Sequence, residues 1–352
     1  HTYQNNGNFD VKLVATSDKG CMDSVTKAIT IFDQPSADFS VSAVCLGQSV
    51  NFTNSSSIST GSISYVWKFG DGFSSTQKNP SYTYSSSGTY TVTLIATSNR
   101  GCIDSISKSL TIDPKPTAAF NASDECSNVD ISFNNTSTIT AGTLSYLWDF
   151  GDNTNSTAVS PDHKYATPGS YAVKLKVTSN KGCLDSVTKT VKSLPAPVAN
   201  FTIPSPCSGT KLTFSNASTV PSGTLTYDWD LGDGNSSTAT SPTHTYASSG
   251  NYNVKLVVEA STGGCTDSIT KVARVYDLPA ASFSVTGTCL ADSIQFGNTS
   301  TINSGTMTYF WDLGDGNTST ANSINHKYAN AGTYQVKLVT TSNWGCKDSS
   351  TQ

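Results

Sequence analysis

What the sequence has little of sets the first limits. Charged residues make up only 13% of the 352, and 21 Lys and Arg against 25 Asp and Glu leave a net charge of −4. So small a surplus gives no field to hold nucleic acid or an anionic membrane. No apolar run approaches the ~20 residues a membrane helix needs, so no membrane span is expected in this segment. No signal peptide opens the chain, and no stretch shows the apolar period of an amphipathic helix. P-loop, nucleophile-elbow and zinc signatures are missing too. The nine cysteines form no C-x-x-C pair, which speaks against structural zinc and thioredoxin-type redox chemistry.

Ser, Thr, Asn and Gly abound instead, a composition suited to a hydroxyl-covered extracellular surface. One phrase returns: "WKFGDG" at Trp67–Gly72, "WDFGDN" at Trp148–Asn153, and "WDLGDG" at both Trp229–Gly234 and Trp311–Gly316, with starts 81, 81 and 82 residues apart. A fixed period is the signature of an array. Cysteines at 21, 45, 102, 126, 183, 207, 265, 289 and 346 keep step, their gaps alternating between 24 and 57 or 58. Two cysteines per module at fixed sites suggest disulfides and an oxidising compartment. The expected division is a partial module at 1–34, then modules at 35–115, 116–195, 196–278 and 279–352, the last lacking the end of its final strand. A chain that starts in mid-repeat and stops short of one reads as a window cut from a longer protein. The joints "DQPSA", "DPKPTA", "LPAPVA" and "DLPAAS" are short and proline-bearing, hence semi-rigid.

Within one module, "AAFNAS" (Ala118–Ser123) and "DISFNNTS" (Asp130–Ser137) read as strands. "LSYLWDFG" (Leu144–Gly151) places Tyr146, Trp148 and Phe150 on one face at period two. "GSYAVKLKVTS" (Gly169–Ser179) and "DSVTKTVKS" (Asp185–Ser193) come next, separated by Gly, Asn and Pro turns. The module is an all-β sandwich. Trp67, Trp148, Trp229 and Trp311 are each followed 23 residues later by Tyr90, Tyr171, Tyr252 and Tyr334. A buried Trp on the third strand and a Tyr opening the sixth match immunoglobulin-like core logic, tyrosine corner included. Val92, Val173, Val254 and Val336 stand where antibody domains carry a core cysteine.

On these motifs, "WDFGDN…SPDHKYATPGSYAVKLKV" (Trp148–Val177) resembles the PKD (polycystic kidney disease) domain, an immunoglobulin-like sandwich whose hallmark is W-D-F-G-D-G. The resemblance covers every module and implies tandem immunoglobulin-like (PKD) β-sandwiches in a linear array. The variant with an N-x-G-C-x-D-S hairpin is similar to large surface proteins of gliding Gram-negative bacteria, which implies type IX secretion and a part in adhesion or motility. It also implies O-glycan acceptors at Asp-Ser followed by an apolar residue: Ser24, Ser105, Ser186, Ser268 and Ser293. The plain alternative for those motifs is a strand start in which Asp and Ser hydrogen-bond the hairpin.

Several residue types could carry chemistry or merely hold structure. Asp71, Asp152, Asp233 and Asp315 sit in a Gly-flanked turn, where Asp caps backbone N–H groups. Calcium would want six to eight oxygens, and Lys68 would place a cation beside it, so no metal or other cofactor is expected. His1, His163, His244 and His326 share an H-x-Y position that holds Tyr82 in the first full module, which suits a hydrogen-bonding group better than a general base. Lys12, Lys174, Lys255 and Lys337 alternate with core residues and point outward. Phe310 and Trp344 remain as exposed aromatics, candidates for contact with a neighbouring chain or a sugar.

The cysteines raise a topological question. In an immunoglobulin-like sandwich the loop after the first strand and the hairpin between the last two strands lie at opposite ends. Seven-residue strands hold them roughly 20–25 Å apart, whereas a disulfide wants Cα atoms within ~7 Å. In an array the exit end of one module faces the entry end of the next, which favours inter-module pairs Cys45–Cys183, Cys126–Cys265 and Cys207–Cys346. Cys21, Cys102 and Cys289 would then seek partners in modules outside this window. Bridges within a module, such as Cys126–Cys183, are the alternative.

The whole reads as a non-enzymatic structural or adhesive array, a semi-rigid stalk or fibre segment on the cell surface. Its expected partners are its own neighbouring modules and other copies in a filament. The rival reading is a carbohydrate- or protein-binding array that acts through loops at one end of each module.

Overall fold

The computed structural model describes all residues except Thr288 and Ala291. Among the described residues there are strands and turns but no helix. The chain forms two compact units, one of residues 1–123, 132–163 and 171–191, the other of 124–131, 164–170 and 192–352.

The first unit opens with a hairpin of Gly7–Thr16 and Met22–Ile31, whose Val11, Leu13, Val14, Met22 and Val25 side chains are exposed. A full sandwich comes after it. One of its layers is a five-stranded sheet in the order Val44–Cys45, Ile103–Asp113, Gly88–Ser98, Ile63–Lys68, Ser74–Ser75. The other is made of short pairs, Phe39–Ser40 with Thr53–Asn54 and Val50–Asn51 with Ser81–Tyr82. Alternation along Gly88–Ser98 turns Val92, Leu94 and Ala96 inward. Val92 and Leu94 meet Phe39, Phe52, Trp67, Phe69 and Tyr84 in one core. Trp67 is fully buried, and its ring N–H donates to the Gln77 carbonyl at 3.0 Å, so the large apolar ring brings no orphaned donor inside. Trp148, Trp229 and Trp311 are likewise buried and donate to the carbonyls of Ala158, Ala239 and Ala321.

Within the second unit, one sandwich has the sheet Ser236–Ser237, Leu225–Asp230, Gly250–Ala260, Thr266–Val275, and another has Thr318–Ser319, Met307–Asp312, Lys337–Ser342, Lys347–Thr351. The cores repeat position by position: Phe201, Phe214, Trp229 and Tyr246 in one, Phe283, Phe296, Trp311 and Tyr328 in the other.

Two readings of the sequence need revising. The runs taken as single strands at 118–123 and 130–137 are broken, leaving Phe120–Asn121, Asp130–Ser132 and Asn134–Asn135. The equivalent run at Val50–Asn54 shows why: its first half pairs with Ser81–Tyr82 and its second with Phe39–Ser40. At the switch Phe52 is buried and its N–H goes to the Pro80 carbonyl, so continuous apolar alternation spans two different partners. Second, Tyr90, Tyr252 and Tyr334 sit at the edge of their cores rather than inside them. Their hydroxyls donate to the carbonyls of Ser86, Ser248 and Asn330, four residues upstream, the tyrosine-corner bond. The buried tyrosines are Tyr84, Tyr165, Tyr246 and Tyr328.

Candidate functional site: the repeated turn and the joints

The Gly-Asp-Gly turn comes directly after the Trp strand. Gly70 has φ +88, and a Cβ there would lie 2.7 Å from the Thr91 carbonyl oxygen, so only glycine lets the turn close against the neighbouring strand. One oxygen of the turn aspartate accepts a backbone N–H two residues on: Phe73 to Asp71, Thr154 to Asp152, Asn235 to Asp233, Asn317 to Asp315. The other oxygen takes a side chain eleven residues on. His163, His244 and His326 approach it at 2.7 Å through Nε2, and in the first full module the Tyr82 hydroxyl does so at 2.8 Å. Burial works to raise these carboxyls, but the histidine and turn donors outweigh it. Asp152 and Asp233 are held below the ordinary carboxylate range, and Asp315 is brought to about 2. Burial, then Asp71, pushes the Tyr82 hydroxyl up to about 12.

These pairs are turn clamps. A hydrolytic triad places a hydroxyl on one imidazole nitrogen and a carboxylate on the other. Here His163 Nε2 faces both Asp152, at 2.7 Å, and the Thr154 hydroxyl, at 3.5 Å. Among the described residues no group of three His, Cys, Asp or Glu side chains is placed to hold a metal.

The Asp-Ser motifs divide between the two residues. Ser24, Ser105, Ser186, Ser268 and Ser293 are all exposed. The aspartates beside three of them tie the hairpin to the start of the same module: Asp104 accepts the Ala37 N–H, Asp185 that of Ala118, and Asp267 that of Ala199. Asp348, in the divergent "DSS", accepts Ala281 in the same way, so the aspartate has a structural task that does not depend on the residue after the serine. Lys174, Lys255 and Lys337 face solvent. The working lysines lie on the last strand instead, where Lys108, Lys189 and Lys271 donate to the carbonyls of Phe39, Phe120 and Phe201.

The cysteines meet across joints. Cys45 is bonded to Cys183 with Cα atoms 5.6 Å apart, Cys126 to Cys265 at 5.9 Å, and Cys207 to Cys346 at 5.7 Å. Cys21, Cys102 and Cys289 carry no disulfide. Trp344 is not an exposed aromatic: it stacks on Tyr276 of the preceding module with centroids 5.0 Å apart and planes 11° from parallel. Phe310 does stay exposed, at 47%. Asp277 is buried beside that stack and accepts the hydroxyls of Ser249, from its own module, and Ser304, from the next. Those two bonds, Ser249 first, hold its carboxyl below the usual range. The histidine–aspartate spacing and the Asp277 clasp went unread in the sequence, although the constant eleven-residue interval was there to find.

The PKD domain family matches the chain in four successive stretches, residues 33–114, 113–193, 194–275 and 279–352. The chain belongs to the PKD domain family. Similar PKD regions occur in the pre-pro-metalloprotease PrtV of Vibrio cholerae, 32% identical over 174 residues, which are 47% of this chain and 18% of that protein. A microbial collagenase of Vibrio alginolyticus is 42% identical over 64 residues, 18% of this chain and 8% of that protein. The chain thus spans less than a fifth of the length of these relatives. The solved PKD1 domain of the V. cholerae protease is 39% identical, covering 22% of this chain and 96% of that domain, with a TM-score of 0.21.

Proposed function

We propose that these tandem PKD modules form a non-enzymatic extracellular spacer, a load-bearing stalk segment of an adhesive surface protein. The observation that carries this reading is the set of three disulfides, each joining one module to the next. A binding module needs only its own core, whereas covalent ties across successive joints serve a chain that must resist pulling. Oxidised cysteines also suit an extracellular location. The matched regions of a metalloprotease and a collagenase fit the same role, since the match to this chain takes in only 18% and 8% of proteins whose names describe catalysis. Export by the type IX route and O-glycans on Ser24, Ser105, Ser186, Ser268 and Ser293 belong to this reading.

Single-molecule stretching of the full chain tests it. Oxidised protein is expected to yield little length between residues 45 and 346, and reductant is expected to release it. Equal extension in both states would sink the load-bearing reading. Peptide mass mapping of protein from its native host tests the modification separately, with glycan expected at the Asp-Ser serines and bare peptides at all five overturning it.

A further inference from the structure

Each joint brings together two positions. One is the residue that closes the earlier module: Phe32, Asp113, Leu194 or Tyr276. The other is the hairpin residue of the later module two places before its cysteine: Arg100, Lys181, Gly263 or Trp344. The backbone explains why they meet. Asp113 pairs in parallel with Cys45, Leu194 with Cys126, and Tyr276 with Cys207. Each of those cysteines is bonded to the hairpin cysteine just beyond the second position.

The side chains at the two positions differ from joint to joint, yet at three of the four they fit against each other. Arg100 lies over the Phe32 ring, 5.1 Å from its centroid. Trp344 stacks on Tyr276, and Arg274 covers that ring at 5.3 Å. Gly263 meets Leu194 so closely that a Cβ would lie 2.8 Å from Leu194 Cδ1. At the remaining joint Asp113 and Lys181 carry opposite charges but form no ion pair. Three contacts of unrelated chemistry at the same two positions are not expected of idle surface. Crossing them gives mismatches: Trp on Asp is an unpaired polar burial, and any side chain at position 263 collides with Leu194.

We propose that this pair is a recognition contact between modules: the hairpin residue selects the closing residue of the module before it and fixes the joint, and the disulfide locks a fit already made. The Phe32–Arg100 contact has the same form at a joint where Cys102 is not bonded within this sequence. The partner that each hairpin fits is therefore the end of another module of stated chemistry, an aromatic for Arg100 or Trp344 and an aliphatic for Gly263.

The test uses the full chain with Cys207→Ser and Cys346→Ser, so that side chains alone hold the last joint, and reads hydrogen exchange of the amides at 276–278. Trp344→Gly is expected to speed exchange there roughly five- to tenfold, the scale of one lost aromatic pair. Adding Tyr276→Leu, which recreates the Leu–Gly pair of the earlier joint, is expected to recover protection. Exchange within Gly250–Ala260 reports whether the sandwich itself stays folded. If a variant unfolds it, Arg100→Ala, with exchange read at 32–34, takes its place and is expected to show the same local loss. Unchanged exchange in the mismatched chain, or no recovery in the matched one, overturns the proposal. A failure of the stretching experiment would leave this contact standing, since it concerns joint geometry and not load.

Discussion

The joint at Phe32–Asp33 and the joint at Tyr276–Asp277 are built from the same parts, but only the second has its disulfide within this sequence. Asp33 accepts Asn6 of the earlier module and Thr60 of the later, just as Asp277 accepts Ser249 and Ser304. A ring is covered by the hairpin residue in both, Phe32 by Arg100 and Tyr276 by Trp344. The carboxylate clasp and the ring contact are therefore present at both joints. Side chains shape the joint, and sulfur secures it. The Leu194 joint sharpens the contrast: Pro195 replaces the acid and Gly263 replaces the covering side chain, while the Cys126–Cys265 disulfide is kept.

The largest effect expected is loss of a bridge. Each closes a loop of 138 or 139 residues, worth on the order of 4–5 kcal/mol in the chain-entropy argument. Cys207→Ser is expected to lower the denaturant midpoint of the last transition sharply. Cys102→Ser, with no bond to lose, is expected to stay within about 0.5 kcal/mol of the parent. Equal midpoints for the two variants would break the comparison between joints.

Next in size is Gly263→Ala. Both Gly263 and Gly345 are left-handed, at φ +88 and +83, so alanine at either costs roughly 1–2 kcal/mol in backbone strain. Only at Gly263 does the new methyl also meet Leu194, whereas Gly345 opens on free space. Thermal unfolding should rank the 263 variant clearly below the 345 variant. Identical melting of the two would show the Leu194 contact to be slack.

The fold was legible because the cores are periodic. Trp67 and Tyr90, with the inward Val92, Leu94 and Ala96, repeat at fixed spacing, and period-two burial translates directly into a sheet face. The acid–histidine clamp was not, because Asp315 and His326 belong to different local motifs and each is explicable alone. The clasp at Asp277 was hidden for a related reason: "DLP" reads as a linker, and burial of an acid depends on two serines 28 residues before it and 27 after it. Trp344 looked exposed because a hairpin tip is ordinarily wet, and only the neighbouring module covers it.

The smallest effect separates the histidine modules from the tyrosine one. The Asp315 carboxyl is depressed in the folded chain to about 2. A depressed acid contributes stability above its unfolded value near 3.9, and that contribution fades as pH falls through the folded value. The last module should therefore weaken between about pH 4 and 2. His326→Tyr, copying Tyr82, should retain a clamp yet narrow that acid loss. Melting curves across this range that coincide for parent and variant would remove the histidine from the account.

The bridges have one more consequence, for a chain cut by a protease. The span from Cys45 to Cys183 overlaps the span from Cys126 to Cys265, which overlaps that from Cys207 to Cys346. A single break in the backbone anywhere between residues 45 and 346 thus lies inside at least one closed ring. The two halves stay joined, and a nicked molecule keeps its full covalent length until it also meets a reductant.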